Sequence, residues 1–521
     1  MKQASNQQNA NFLSRRTTLQ LLGGATLAGG MLGSGQIALA ETPKRGGTLR
    51  VGLGQGATTD SLDPVTYNKV ADYVMGCTIC NTLVQIDPQG VPQPELAESW
   101  ESSDGAKRWV FKLRSGVTFH NGKPLTGADV VYSIKRHQGE NSKSSVKRLL
   151  DGVTGVSANG NEITLLHATG DADMAEIMGQ FALLIVPEGH DDWSNLIGTG
   201  GYMLESFEPG VRMRATRNPN YWRSDAAWVD AVEFTVILDN TARTVALSTN
   251  AVDYIDKVDN KIAKRLAKNP NVAINESKGG RVIHFAMDVT ADPYSSNDVR
   301  EAMKYAINRQ QIVDTALSGY GIVGNDHPVP PTNPYFNTEL PQRAYDPDKA
   351  KFHLKKAGLN SAAVTLSTSD TVFGGAVDAA VIYQSNAAEA GIDIEVSRET
   401  ADGYWSDIWM KKPFYTSTWV MRPTPGLMLS TAWSCNASWP ETKWCNETFD
   451  SILAASKTET DPAKKKAMMW DLQELAHSDG GAIIFAFPSN LDAHSVKVNG
   501  AVPHAAAPFN GGRIAEQVWL S

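Results

Sequence analysis

Residues 109–133 read WVFKLRSGVTFHNGKPLTGADVVYS, and the fold is read outward from this stretch. Trp109, Phe111 and Leu113 alternate with Val110, Lys112 and Arg114, the period of a half-buried strand. Ser115-Gly116 turns the chain, Val117, Thr118 and Phe119 resume a β-type run, and Asn121-Gly122 signals a second tight turn. Thr126 is placed to cap a helix, with Asp129 three residues on as its capping-box partner, so that Val130, Val131 and Ile134 face a core. Nothing in this packing unit has the residue types of catalysis. His120 has no second His, Cys or carboxylate beside it at metal-ligand spacing, and it reads as a structural side chain.

The whole chain sets wider bounds. Its 521 residues exceed one ordinary hydrophobic core, so two or more domains are expected. A net charge of -8 with no basic stripe argues against nucleic acid as a partner. Ser14-Arg15-Arg16-Thr17-Thr18-Leu19 is a twin-arginine pattern, although Thr18 stands where a bulky apolar residue is preferred. A Gly-rich apolar run from Leu21 to Leu32 and the small-residue site Ala38-Leu39-Ala40 complete an export signal, expected to span residues 1–40 and to be cleaved after Ala40. The run is too short and too Gly-interrupted for a membrane anchor, which needs roughly 18 apolar residues. The expected location is therefore the periplasm. No Gly-x-Ser-x-Gly, His-Glu-x-x-His or phosphate-binding Walker loop occurs, and no cofactor or metal is expected.

Along the chain, Thr48 to Leu53 alternates as a first strand, and a helix is expected to follow Pro64 as far as about Leu83. Helices are expected at about 172–180, 298–318 and 347–357, and from Asp461 to His477 with Pro462 at the first helical position. Val364–Thr368, a helix from Asp378 to Ala390, and Ile392–Val396 form a parallel strand–helix–strand unit. Two apolar extended runs, near 284–287 and 483–487, read as crossings between two lobes.

Residues 109–133 resemble the signature of the extracellular solute-binding proteins of ABC importers, in the peptide/nickel/opine-binding class. The same class is echoed by Pro94-Glu95-Leu96-Ala97-Glu98-Ser99-Trp100, Gly198-Thr199-Gly200-Gly201-Tyr202 and Arg217-Asn218-Pro219-Asn220-Tyr221-Trp222. It is echoed again by Val299-Arg300-Glu301-Ala302 with Ala306-Ile307-Asn308-Arg309, and by Tyr345-Asp346-Pro347-Asp348-Lys349-Ala350. The resemblance implies an α/β, two-lobed periplasmic-binding-protein fold of the type II-like large class, its lobes joined by two hinge strands. Residues 41–285 and 486–521 would form the large discontinuous lobe, with an extra subdomain at about 85–210, and residues 286–485 the second lobe. It further implies a monomer that captures a small solute and hands it to membrane permease subunits. An exported hydrolase on the same body is the alternative.

Tryptophan concentrates between 404 and 444: Trp405, Trp409, Trp419, Trp433, Trp439 and Trp444. Trp409, Trp439 and Trp444 read as core. Trp419, with Trp405 and Trp433, reads as a ligand wall, because Trp419 closes a strand that enters the turn Arg422-Pro423-Thr424-Pro425. Dipeptide-binding members of the resembled class carry an Asp three residues after this Trp and an Arg near position 370. Here the two positions hold Arg422 and Asp370, so the charges are inverted. Arg422 would take a carboxylate, phosphate or sulfonate, and Asp370 a cationic amine. A short peptide, opine or amino-acid conjugate fits that pair best. Gly52-Leu53-Gly54-Gln55-Gly56 lacks a nucleotide-binding spacing. Its resemblance implies a close-approach loop along the cleft, with Thr58 and Thr59 at the ligand. Among four cysteines in an exported chain, Cys435 and Cys445 are expected to bridge and pin a loop, while Cys77 and Cys80 are buried or simply bridged.

Overall fold

The computed structural model describes residues 42–504 and 507–521. The expected export signal lies outside them. Among the described residues no helix is long and apolar enough to cross a membrane.

Two mixed sheets dominate. The first has seven strands in the order 272–277, 490–495, 254–255, 48–53, 231–236, 212–217, 202–208. Thr48–Leu53 buries Leu49, Val51 and Leu53 and runs parallel to both Ala231–Val236 and Tyr254–Ile255. The second sheet has six strands in the order 321–323, 482–488, 281–287, 414–420, 362–368, 392–398. Its middle strands are almost wholly buried, because each is covered on both faces, and they carry polar side chains such as His284 and Ser417 into the interior. One face packs against Phe285, Tyr383, Phe414 and Phe485, the other against Trp433, Leu472 and Ile484.

The opening stretch folds nearly as read. Arg108–Leu113 is the second strand of a separate four-stranded sheet (97–103, 108–113, 162–167, 153–159) and buries Trp109, Phe111 and Leu113. The backbone N–H and the hydroxyl of Thr126 both donate to Asp129 Oδ2, at 2.8 and 2.7 Å, and start the helix Gly127–Gln138. Val117–Phe119 makes no regular strand, only a bridge from Thr118 to Pro124. His120 lies between the carbonyl of Gly200 (3.1 Å) and the N–H of Gly198, a structural clamp.

Three expectations are corrected. The runs near 284–287 and 483–487 do not cross between sheets: Arg281–Met287 and Ala482–Pro488 pair with each other inside the second sheet. The chain passes from one sheet to the other at 278–280 and again at 489. The helix expected over 298–318 is two helices, Asn297–Tyr305 and Arg309–Thr315, because the side chain of Asn308 accepts from Gln311 N–H and restarts the helix. The helix after Pro64 ends at Ile79, short of Leu83.

Candidate ligand-binding site

Ala362–Thr368 runs parallel to both Ile392–Arg398 and Phe414–Val420, so these three strands end at one edge of the second sheet. Arg281–Met287 starts from that edge, with Arg281 opposite Val420, and Ala482–Pro488 ends there. The edge therefore faces the two crossings at 278–280 and 489. In open α/β sheets ligands bind outside the carboxyl ends of the parallel strands. Asp370 and Arg422 each stand two residues beyond such an end. Arg281 opens the strand between them and the other crossing, and its Nε is buried without a partner.

Four indole rings form a chain beside this edge. Trp405 meets Trp409 at 5.9 Å, Trp409 meets Trp419 at 6.4 Å, and Trp419 meets Trp439 at 5.7 Å between centroids. Trp405 is 43% exposed and Trp419 only 9%. The guanidinium of Arg422 lies 5.4 Å from the Trp419 ring. Arg148, from the one-turn helix Lys147–Leu150 next to the four-stranded sheet, lies 5.5 Å from the Trp439 ring. Such cation–ring contacts orient a guanidinium without neutralising it. Among the described residues neither arginine has a carboxylate within ion-pairing distance. Burial, and then the positive charge of Arg148, hold the Arg422 pKa below its ordinary value.

Glu441 is what fixes the rings, and sequence reasoning missed it. Its carboxylate is buried and accepts the indole N–H of Trp419 at 2.7 Å, the indole N–H of Trp409 and the hydroxyl of Ser417. The ring of His284 is 2.9 Å away. Burial works to raise the Glu441 pKa, but His284 and the donated hydrogen bonds outweigh it and hold the group below the usual carboxylate value. Glu441 lies inside the loop closed by the Cys435–Cys445 disulfide. The available signal was an acid between two tryptophans, Trp439 and Trp444, inside that loop.

The other expected site residues are dispersed. Trp433 caps the helix Pro425–Ala432 and is buried against the His284 ring at 6.2 Å, beneath the wall rather than in it. Trp409 and Trp439, read as core, are half-buried members of the wall. Asp370 is exposed, and its Oδ1 accepts the N–H of Val377 in the first turn of the helix Ala376–Glu389, which gives it a capping role. Thr58 and Thr59 are exposed on a turn at the end of the first strand, closed by Asp60 N–H to Ala57 O. In the Gly-rich run before them, a side chain at Gly54 would meet Arg243, whose guanidinium donates to the carbonyls of Ile237, Asp256 and Lys257. Cys77 and Cys80 are buried free thiols, and burial pushes Cys77 up to about 12. Among the described residues no group of three or more His, Cys, Asp or Glu is placed to hold a metal ion.

Comparison with known proteins places this arrangement in context. Residues 91–440 match the family model "Bacterial extracellular solute-binding proteins, family 5 Middle". A glutathione-binding protein GsiB from Pectobacterium atrosepticum is 25% identical over 467 residues, 85% of this chain and 90% of that protein. HbpA2 from Haemophilus parasuis superposes with a TM-score of 0.82 at 22% identity, covering 91% of this chain and 100% of that one. The periplasmic binding protein DppA from Helicobacter pylori, in complex with the peptide STSA, superposes with a TM-score of 0.70 at 23% identity, covering 92% and 98%. The fold is thus the two-lobed one of periplasmic binding proteins, with the first and second sheets as the bodies of the lobes.

Proposed function

Because this chain belongs to the bacterial extracellular solute-binding proteins of family 5, which capture small ligands and deliver them to the membrane permeases of ABC importers, we propose that its own solute is a short peptide or amino-acid conjugate bearing an anionic group, anchored by Arg422 against the wall of Trp419 and Trp405. The observation that carries this reading is the half-buried Arg422 guanidinium, set over the Trp419 ring with no carboxylate among the described residues to pair it. A partly desolvated guanidinium without a counter-ion is costly, and a ligand anion held by its planar fork removes that cost. The peptide class is supported by the relatives, one described as binding glutathione and another bound to the peptide STSA. Asp370 lends the zwitterionic version less support, since one of its oxygens already caps a helix.

Binding rather than catalysis is supported by the state of the acid nearest the wall. Both oxygens of Glu441 are engaged by ring N–H groups, so this acid is not poised to move a proton. Export by the leader of residues 1–40, with cleavage after Ala40, completes the reading.

Native mass spectrometry of the purified protein, followed by denaturation and identification of what is released, supplies the ligand. Calorimetry with that ligand should then show Arg422→Ala weakening binding by about 2–5 kcal/mol. Arg422→Lys should recover only part of the loss, because the bidentate fork is gone. Binding by Arg422→Ala within about threefold of wild type, roughly 0.7 kcal/mol, would remove Arg422 as the anchor.

A further inference from the structure

We propose that Arg148 is the second arm of an anion clamp, closing from the first lobe onto a ligand that carries two negative charges, the other arm being Arg422 from the second lobe. This rests on the reading of Arg422 given above and extends it to the ligand's charge.

Arg148 and Arg422 are far apart in sequence and belong to different bodies of the fold. The first sits in the one-turn helix Lys147–Leu150, which is followed directly by the strand Val153–Asn159 of the four-stranded sheet. The second leaves the strand Phe414–Val420 of the six-stranded sheet. They meet on adjacent rings. Arg422 lies over Trp419, Arg148 lies over Trp439, and the two rings are 5.7 Å apart. The two cations therefore stand on one continuous aromatic surface, supplied by the second lobe and capped by the first.

Other arginines of the first lobe are treated differently. Arg136 is bidentate to Asp63 at 2.8 Å, and Arg223 meets Glu516 at 2.7 Å. Among the described residues Arg148 and Arg422 donate no side-chain hydrogen bond and form no ion pair. Like charges brought together by closure repel, and the aromatic faces supply only a weak attraction in return. An anion seated between the two guanidinia converts that repulsion into two charge-assisted contacts, one from each lobe. Such a ligand stabilises the closed form by its differential affinity for it. The local charge also selects the chemistry. Glu441 is engaged by the ring N–H groups and one oxygen of Asp370 by its helix, and among the described residues neither pairs with Arg148 or Arg422, so the surface presents two guanidinia without a counter-ion. A dicarboxylate, a phosphate or a sulfate-like group matches it, whereas a monoanion satisfies one arm only.

The test uses the mature protein stripped of ligand by unfolding and refolding. It is titrated with sulfate, succinate and glutarate, with acetate as the monoanionic control at matched ionic strength. Tryptophan fluorescence reads the wall, and small-angle scattering reads lobe closure. The clamp predicts that at least one dianion shifts both signals saturably while acetate does not. In Arg148→Gln and in Arg422→Gln the midpoint should move at least tenfold higher. Both variants should be more compact than wild type in the absence of added dianion, because one repelling charge is gone. Arg148 is exposed, so its substitution leaves packing intact, and an unchanged melting temperature confirms this. No dianion response in wild type, or an unchanged midpoint in Arg148→Gln, overturns the clamp. If the response survives Arg148→Gln but is lost in Arg422→Gln, Arg422 anchors the anion alone and the earlier reading stands. If it survives both, that reading falls as well.

Discussion

Glu441 shows how a buried charge becomes a positioning device. The carboxylate satisfies two indole N–H groups, a hydroxyl and an imidazole at once, so half-buried Trp409 and buried Trp419 are held in one orientation. Glu441→Gln keeps the volume but replaces one acceptor oxygen with an N–H donor that faces other donors. The expected cost is about 1.5–3 kcal/mol of stability, read from denaturant midpoints. The near-ultraviolet circular dichroism of the tryptophans should also lose intensity before any unfolding. Unchanged spectra in the variant would show that the rings are held by packing alone. The site was partly legible beforehand. Trp419 and Arg422 stand out because a strand-end aromatic followed by a charged turn has few structural uses. Glu441 and Arg148 were invisible, because each gains its meaning only from partners far away in sequence. The capping bond of Asp370 to Val377, seven residues ahead, was equally invisible, because it depends on where the following helix starts.

At the scale of elements, the Cys435–Cys445 bridge and the loop it closes are the part of the site that sequence alone could describe. The two cysteines are ten residues apart, and the loop carries both Trp439 and Glu441. Opening the bridge with Cys435→Ser and Cys445→Ser together should cost on the order of 2–3 kcal/mol. Ligand affinity should fall further than this general loss explains, because the loop would release Glu441 from Trp419. Comparing chemical denaturation with ligand titration in the same variant separates the two effects, and an affinity equal to wild type would detach the loop from the site. Helices and strands were legible where local chemistry dictates them. Asp461 with Pro462 starts the helix Pro462–Asp479, and Thr126 with Asp129 starts Gly127–Gln138. Legibility failed where a cap interrupts an otherwise continuous apolar periodicity, as Asn308 does between Asn297–Tyr305 and Arg309–Thr315. The crossings at 278–280 and 489 were misplaced for a related reason. The apolar strands beside them are central in the second sheet, and burial on both faces looks in sequence like a passage between lobes.

In the whole molecule, the two lobes touch again away from the tryptophan wall, and this second contact titrates. Lys465, on the helix Pro462–Asp479 of the second lobe, reaches Asp173 of the first, and the backbone N–H of Ala172 donates to Lys457 O at 2.7 Å. Three acids converge on that one ammonium: Asp171, Asp173 and Glu176. Burial, with the charge of Asp173, raises Glu176 to about 7, and the same two causes raise Asp171 to about 6. An acid whose pKa is raised on folding keeps its proton longer in the folded state than in the unfolded chain. Between the ordinary carboxylate range and the raised value the folded state therefore binds more protons, and stability falls as pH rises through that window. Here the window runs from about 4.5 to about 7. Measured against Glu176→Gln, the ligand-free wild type should lose a few degrees of melting temperature from pH 5.5 to pH 7.5, a difference in which the opposite slope of the buried histidines, held below their ordinary value by burial, cancels. Asp492, buried in the first lobe and raised to about 8 by burial, contributes to the same slope. Glu176→Gln isolates the interlobe share, because it is neutral at every pH and should flatten the profile below pH 7 while leaving the Asp492 part. The partner substitution Lys465→Met removes the ammonium that bonds Asp173 and holds both raised acids down, leaving Lys457 facing Asp171, and should steepen the fall. A melting profile for Glu176→Gln that parallels wild type across the window would show that Glu176 is ionised in the folded protein and that the contact between the lobes does not respond to pH through it.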